Sequence, residues 1–584
     1  MAPSYYTDGP FPRWVSNDLG PGYMPNSLVG PNLTQPIGYI PQVRHTYAYW
    51  SSYFGIINEH NVAIQESTCS AMFHTCAKGD TRGCEPGRTD GEAILDIRML
   101  SMFALERAKT AREAVKIMGD LAYEHGFYGT HDENGDGESL IVGDSGEAWV
   151  FHILADPTGT KAIWAAVRVP DDSVTVVSNM FTIREVDVRD TANCMASPNI
   201  YSVAQEYGWW KPGDILDFTR VYGNGEYDSK YYAGRRMWRI LSLAAPSLNL
   251  DPEYDDLRYD RAWPWAAKVD HPITLKEVLT WYRDWYAGTP FDTTKGLAAG
   301  YGGSPDRFGR GPDAVEGAWE RTIALYRTNL LKVTHIRAET PELPKQVAGV
   351  VWVANGPAHY SPVLPIPSGF SEELPVMSKA TPWHHDKNTL CWQARKVMTA
   401  AQARFDHMHP LVEAQQKIVE AAGLEVLAKM QGELLHGQQS WGEELVAHTD
   451  RVLKIWQGLP DEMLLRFNYN SDMTKIAAKT NQLGMSPTSD TAALGYPNEW
   501  LQEVGFTKHP LPPVETQCPP LCPGSSVPQA SSEQLAVWDK SASWIFWLAL
   551  AAALPASIMF VVAQRSLSPR SAKDLLRNSP YVQF

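Results

Sequence analysis

The stretch INEHNVAIQESTCSA, Ile57 to Ala71, decides the fold because its centre, NVAIQES, predicts a buried strand. Cys69 lies at the end of this strand, directly after a Glu-Ser-Thr run. A nucleophilic cysteine needs a base or a positive field that favours the thiolate. Glu66 precedes the thiol here, and a nearby carboxylate disfavours a thiolate. We therefore interpret Cys69 as a structural cysteine.

The segments after this strand predict helices and further strands. Residues 91–109 repeat apolar side chains at helical spacing, and 110–126 open with a capping box at Thr110 and Glu113. A hairpin over 139–154 and two more strand-like runs follow, then a loop-rich middle and a helical pattern from Asn388 onward. This order predicts an α+β domain with helices layered on a sheet.

Composition excludes one class of partner. The chain has 584 residues, 44% of them hydrophobic, and a net charge of −15. Its basic residues are not clustered, except at the extreme C-terminus, so the sequence predicts no nucleic-acid binding. The seven cysteines are too few for a disulfide scaffold in so long a chain. Cys518 and Cys522, in CPPLC, are placed for a local disulfide rather than a zinc site.

A twenty-residue uncharged run, Trp544 to Ala563, predicts one C-terminal transmembrane helix. Basic residues follow the run and place a short tail in the cytoplasm, with the bulk of the protein lumenal or extracellular. The first residues do not form a signal peptide, so we expect the natural start to lie upstream. Asn32, in the triplet NLT, is then a glycosylation candidate.

Composition shifts divide the chain into five parts. The first two are expected to form the folded region, the second being largely helical after residue 388. The others are a Pro/Ser-rich stalk, the transmembrane helix and a short basic tail. The predicted boundaries are 1–345, 346–508, 509–543, 544–563 and 564–584.

Three local motifs have simpler structural explanations. DENGDGES begins like a calcium loop at Asp132, but its twelfth position is Gly143 instead of glutamate, which favours a polar turn. GDSGE, around Ser145, is ordinary turn chemistry at a hairpin tip. The clusters PWHHDK and FDHMHP, around His384 and His407, are the best metal-like groups, and they leave a His-based metallopeptidase as an alternative.

Six blocks along the chain carry a family signature. Together they resemble the dipeptidase branch of the dipeptidase/secernin family, which are cysteine-type N-terminal-nucleophile (Ntn) hydrolases, from about residue 35 to about residue 480. The blocks are IGYIPQVRHTYAYWSSYFGIINEHNVAIQESTC, ALERAKTAREAVKIMGDL, GEAWVFHIL, WAAVRVPDD, VVSNMFTIREVD and GTPFDTTKGLAAG.

The resemblance implies an αββα sandwich, no cofactor, and hydrolysis of dipeptides by a cysteine at the mature N-terminus. Asn179 resembles the residue that helps bind the oxyanion, Arg236 the basic residue that faces the thiol, and Glu66 a residue on the strand that borders the cleft. Since Cys69 lies well inside the matched region, we expect the nucleophile to be absent from this chain. A catalytically inactive peptide-binding homologue therefore remains an alternative.

Overall fold

The structure is a computed structural model. It describes residues 4–5, 12–16, 36–52, 54–79, 91–129, 137–224, 230–253, 263–308, 320–378, 384–438, 441–477, 493–506, 544–551 and 559–563. Asn32, Asp132, Cys518 and Cys522 lie outside these ranges, as do the predicted stalk and tail.

The described residues form strands and helices in a mixed α+β arrangement. The strands are β1 (Ser4–Tyr5), β2 (Pro12–Ser16), β3 (Pro36–Pro41), β4 (His45–Thr46), β5 (Tyr49–Ser51), β6 (Gly55–Asn58), β7 (Ala63–Cys69), β8 (Gly137–Gly143), β9 (Ala148–Ala155), β10 (Ala162–Arg168), β11 (Ser173–Val177), β12 (Glu185–Val186), β13 (Cys194–Ala196), β14 (Leu216–Asp217), β15 (Ala266–Lys268), β16 (Leu330–Arg337), β17 (Gly349–Ala354), β18 (Leu364–Pro367), β19 (Trp544–Ala551) and β20 (Met559–Ala563). The helices are α1 (Ile97–Arg107), α2 (Ala111–His125), α3 (Ile200–Glu206), α4 (Phe218–Tyr222), α5 (Arg235–Ala244), α6 (Leu275–Trp281), α7 (Lys345–Ala348), α8 (Pro375–Ser378), α9 (Leu390–Ala401), α10 (Phe405–Leu435), α11 (Glu443–Phe467), α12 (Met473–Ala477) and α13 (Asn498–Glu503).

The first large sheet contains the predicted strand of the opening stretch. Its antiparallel order is β13-β10-β9-β8-β7-β6-β5, and every residue of β7 is buried. The predicted hairpin is confirmed as β8 and β9, joined by a turn in which Asp144 Oδ1 accepts hydrogen bonds from the backbone N–H groups of Gly146 and Glu147. Ser145 is exposed in that turn, as its turn chemistry predicted.

The predicted helix α2 is confirmed, although its first turn differs from the expected capping box. Thr110 Oγ1 accepts a hydrogen bond from the backbone N–H of Glu113, as predicted. The Glu113 carboxylate, however, accepts from the backbone N–H of Lys109 rather than from that of Thr110. The helix ends at Gly126, whose φ of 75° lies in the left-handed region that glycine reaches without strain.

The prediction of a transmembrane helix over 544–563 is wrong. β19 and β20 instead lie in the middle of the second large sheet, whose antiparallel order is β15-β11-β20-β19-β16-β17-β18. Within the described ranges, no helix has the length and apolar character needed to cross a membrane. The predicted single-pass localisation, with the bulk lumenal or extracellular, and the predicted membrane partner are corrected with it.

The physical reason is that the apolar run suits two different environments. Hydropathy and length alone do not separate a membrane helix from strands that are covered on both faces. The run is rich in Trp, Ile, Phe and Val at its two ends, and Pro555 divides it. These residue types favour strands, and proline interrupts backbone pairing.

Three hydrophobic clusters show how the layers stack. One lies between the two sheets and includes Ala63 and Cys69 of β7 with Val177 of β11. A second joins the outer face of the first sheet to α1 and α2, and a third joins the outer face of the second sheet to α5. The layers therefore follow the order helices, sheet, sheet, helices, and α9, α10 and α11 pack together beside them.

Candidate active site

Asn179 lies two residues beyond the end of β11 and is fully buried. Its φ of 67° falls in the left-handed region, which asparagine tolerates better than most residues because its short amide bonds locally. The backbone thus turns sharply where the second sheet ends. This turn places the amide of Asn179 against the first sheet.

Contacts of Asn179 join the two sheets. Its backbone N–H donates to Ser67 Oγ over 3.1 Å, and its side-chain Nδ2 donates to the carbonyl oxygen of Thr68 over 2.9 Å. Arg236 Nη2 donates to Asn179 Oδ1 over 3.0 Å. The structure therefore brings together two of the three predicted site residues, Asn179 and Arg236.

Arg236 donates hydrogen bonds to two backbone carbonyl groups. It is the second residue of α5 and is 1% exposed. Its Nε donates to the carbonyl oxygen of Tyr232 over 2.6 Å, and its Nη2 donates to that of Ser178 over 3.2 Å. Because arginine keeps its proton in proteins, these contacts fix a positive charge beside the Asn179 amide.

Glu66 lies in the same strand as Ser67 but points to the opposite face. Successive side chains of a strand alternate between its two faces. Thr68, on the same face as Glu66, donates a hydrogen bond from Oγ1 to Glu66 Oε1 over 2.9 Å. The alternation thus directs the Glu66 carboxylate away from the cluster of Asn179 and Arg236.

The described thiols are held in ways that disfavour thiolate. Cys69 is fully buried, and its Sγ donates to the carbonyl oxygen of Ser67 over 3.4 Å. Burial raises the pKa of Cys194 to about 11 and also raises the pKa of Cys391. Cys76 is disulfide-bonded.

His152 supports the loop after Asn179, a role that the sequence analysis missed. Its Nε2 accepts from the backbone N–H of Thr182 over 2.8 Å, while Nδ1 lies 2.7 Å from Ser139 Oγ. Complete burial lowers the pKa of His152 to about 3, so the ring is neutral at physiological pH. Since Nε2 accepts, the proton is on Nδ1 and is donated to Ser139. Its sequence signal was a single histidine inside the apolar run AWVFHILA.

Lys332 is a second buried polar residue that the sequence analysis missed. It lies in β16 with no exposed surface, and burial lowers its pKa to about 8, although the field of Glu66 opposes this shift. The sequence signal was a lysine inside the apolar strand LLKVTHI. Lysines are almost never fully buried without a partner, which makes the position chemically informative.

The histidine clusters do not assemble a metal site in the described chain. His384 is exposed, whereas His407 lies 3.5 Å from Asp406 and packs against Phe467. His409 is buried, and its Nε2 donates to the carbonyl oxygen of His359. Among the residues with described positions, no group of three or more His, Cys, Asp or Glu side chains is arranged to hold a metal ion.

The two large sheets are stacked, and the Asn179 amide and the Arg236 guanidinium are buried together between them. The molecule is therefore an α+β protein with a polar site between two sheets. The chain belongs to peptidase family C69, whose family model matches residues 30–418. This match confirms the family resemblance predicted from the six sequence blocks.

Individual relatives support the same assignment. The chain is 25% identical over 309 residues to a "Probable dipeptidase" of Latilactobacillus sakei, a match that covers 53% of this chain and 56% of the relative. It is 27% identical to a "Probable dipeptidase" of Salmonella dublin, covering 50% of this chain and 61% of the relative. A "Dipeptidase" of Bifidobacterium longum is 23% identical over 73% of this chain and 78% of its own length. The chain thus spans little more than half the length of the first two relatives.

Proposed function

We propose that this chain is a cysteine-type dipeptidase that hydrolyses the peptide bond of short peptides on an αββα, Ntn-type fold. The observation that carries the proposal is the buried chain of hydrogen bonds from Arg236 through Asn179 to Thr68, where the two sheets meet. Membership of a peptidase family and relatives named dipeptidase support the same reaction class.

In this proposal Asn179 supplies the oxyanion donor. An asparagine amide has two N–H groups, and one of them donates to Thr68. The other donates to the carbonyl oxygen of the scissile bond as negative charge develops there. Arg236 bonds to Oδ1 of the same amide and polarises it, which makes its N–H groups stronger donors. Burial strengthens the effect because water does not screen it.

The reaction then follows the chemistry of thiol acyl transfer. The α-amine of the N-terminal cysteine takes the thiol proton, and the thiolate attacks the scissile carbonyl carbon. As the tetrahedral oxyanion collapses, the C–N bond breaks and the leaving amine takes that proton from the α-amine, which leaves a thioester. Water next attacks the thioester and releases the acid and the thiol. The family resemblance assigns this thiol to a cysteine at the mature N-terminus. We do not assign the role to Cys69, because its thiol is fully buried and donates to the Ser67 carbonyl.

A second candidate function is peptide binding without hydrolysis. The observation that favours it is that burial raises the pKa of both Cys194 and Cys391, while the Cys69 thiol is engaged within β7. The donor cluster of Asn179 and Arg236 would still recognise a peptide carbonyl group. Binding and turnover measurements separate the two candidates.

The test uses the purified full chain with a panel of unblocked dipeptides. Chromatography of the released amino acids measures turnover, and calorimetry measures binding. We expect hydrolysis from protein whose mature N-terminus carries the cysteine that the family resemblance implies. In that protein we expect Asn179→Ala to lower kcat/KM about 100- to 1,000-fold, as the loss of one oxyanion donor does in other hydrolases. The matched control is Asn193→Ala, which alters an exposed turn asparagine and should leave kcat/KM unchanged.

Each other outcome has a defined meaning. A variant Asn179→Ala with wild-type kcat/KM would remove Asn179 from the mechanism. Dipeptide binding without turnover would support the second candidate. Hydrolysis that stops on addition of a chelator and survives Asn179→Ala would favour a metal-dependent peptidase instead.

A further inference from the structure

The loop that carries Asn179 is bonded to the first sheet at two points. It joins β11 to β12. At its start, the backbone N–H of Asn179 donates to Ser67 Oγ over 3.1 Å. Farther along, the backbone N–H groups of Thr182 and Ile183 donate to Nε2 of His152, over 2.8 Å and 3.2 Å. Because only two residues separate these bonded parts of the loop, a shift at one of them displaces the other.

The two acceptors belong to one polar row of the first sheet. Ser67 in β7 lies opposite Ser139 in β8, and Ser139 lies opposite His152 in β9. Side chains that lie directly opposite each other in antiparallel strands share one face of the sheet. This face is turned toward the second sheet, because Ser67 bonds to Asn179 there. All three side chains of the row are fully buried.

The ring of His152 is oriented for this contact by its other neighbours. Ser139 Oγ lies 2.7 Å from Nδ1 and takes its proton, which leaves the lone pair of Nε2 for the loop. The ring also packs against Phe181 of the loop and against Phe218, with centroid distances of 4.8 Å and 5.7 Å. Complete burial keeps the pKa of His152 far below its ordinary value, so Nε2 stays an acceptor at neutral pH.

The position of the Asn179 amide matters because an oxyanion donor works over a narrow range of distances. A donor is effective at roughly 2.7–3.1 Å from the oxyanion. A displacement of about 1 Å can therefore cost on the order of 100-fold in rate. The contacts of His152 limit such displacement from the far side of the loop.

We propose that His152 is a positioning residue for the Asn179 amide. By accepting the N–H groups of Thr182 and Ile183, it fixes the loop so that the amide lies where the oxyanion forms. The expected effect on catalysis rests on the proposed function, whereas the effect on the loop itself does not.

The kinetic experiment compares His152→Leu and His152→Gln with the wild type in the dipeptide assay of the proposed function. Leucine fills the space without an acceptor, whereas glutamine offers an amide oxygen to the loop. We expect His152→Leu to lower kcat about 10- to 100-fold with KM nearly unchanged, because the amide acts on the transition state. We expect His152→Gln to restore kcat to within about threefold of the wild type.

The matched control is Phe151→Leu, in the same strand. Phe151 is fully buried, and its side chain lies in the cluster that joins the outer face of the first sheet to α1 and α2. The substitution therefore destabilises β9 without touching the loop. We expect kcat to stay at the wild-type value.

Hydrogen exchange of the purified full chain tests the loop without any need for turnover. We expect the backbone amides of residues 179–183 to exchange about tenfold faster in His152→Leu than in Phe151→Leu. His152→Gln should show nearly wild-type exchange at the same amides.

The outcomes separate this role from the proposed function. Wild-type kcat in His152→Leu, an equal loss in Phe151→Leu, or a loss that His152→Gln does not restore would overturn the positioning role. If the wild type hydrolyses no dipeptide, the proposed function fails and exchange decides: faster exchange in His152→Leu than in Phe151→Leu supports the role, and equal exchange overturns it. If His152→Leu fails to fold, Ser139→Ala replaces it, with a loss of about two- to fivefold in kcat expected. An unchanged kcat in Ser139→Ala would then overturn the role.

Discussion

The two large sheets are built from the chain in opposite ways. The strands of the first sheet come from one stretch, Tyr49 to Ala196, and several neighbours are joined by short hairpins. The second sheet combines β11, β15 and β16 to β18 with β19 and β20 from near the C-terminus. Local pairing forms one sheet, and contacts between distant segments form the other.

This difference places the candidate site where the two kinds of pairing meet. Ser67 and Thr68 come from the locally built sheet, and Asn179 follows a strand of the other. Contacts between distant segments are formed at a higher entropic cost than hairpins. We therefore expect the site to depend on the second sheet more than on the first.

The strongest test of this comparison removes the C-terminal strands. A chain ending at Ser543 lacks β19 and β20, which pair with β16 and β11. We expect the second sheet to lose cooperative folding because its two central strands are absent. Hydrogen exchange should then show loss of protection in β16 to β18, while β8 and β9 keep theirs.

The control for this deletion is a chain ending at Ala563, which keeps both strands and should match the full chain. Unchanged protection of β16 in the shorter chain would show that β19 and β20 contribute nothing to the second sheet.

The sequence predicts those parts of the molecule that depend on neighbouring residues. Strand β7, the β8–β9 hairpin and the limits of α2 follow from local patterns and were confirmed. The position of β19 does not follow, because an apolar run carries no information about the distant strand that it pairs with. No local sequence pattern predicts the pairing of β15 with β11 either.

The candidate site shows the same limit at the level of single residues. The family blocks identified Asn179 and Arg236, which the structure brings into contact. The blocks do not tell which face of β7 carries Glu66, and its orientation is set by the strand register. Lys332 and His152 were missed because the sequence does not show whether a single polar residue in an apolar strand is buried, or which groups surround it.

A pair of substitutions at Asn179 separates backbone strain from the loss of the amide. Both Asn179→Ala and Asn179→Gly should abolish most of the activity, since each removes the donor. Glycine accepts the φ of 67° freely, so Asn179→Ala should be less stable than Asn179→Gly by about 1 kcal/mol. Urea unfolding measures the difference. Equal stabilities would mean that this turn relaxes when the side chain is removed.

Acid should weaken the first sheet through His152. Burial holds the pKa of this histidine at about 3, below its ordinary value of 6.5. The unfolded chain therefore binds a proton at a pH where the folded chain does not. The contribution of His152 to the free energy of unfolding therefore has its full value above pH 6.5. It falls by about 1.4 kcal/mol per pH unit as the pH decreases from 6.5 toward 3.

Urea unfolding at pH 7.5 and pH 5 tests this dependence. His152→Leu should be less stable at pH 7.5, because the N–H of Thr182 loses its acceptor, and should show a smaller pH dependence. A variant with the wild-type pH dependence would show that other groups cause the acid sensitivity.

The smallest expected effect measures a direct bond between the sheets. Gln65 of the first sheet donates to Thr334 of the second, so Gln65→Met and Thr334→Val should be coupled. A double-mutant cycle on unfolding free energy should give about 0.5–1.5 kcal/mol, the net value of a buried hydrogen bond. Thr175→Val is the matched control, because Thr175 lies in the same row but three strands away, paired through Val561 and Trp547. If the Thr334 pair couples no more strongly than the Thr175 pair, the hydrogen bond between Gln65 and Thr334 contributes nothing to the stability of the stacked sheets.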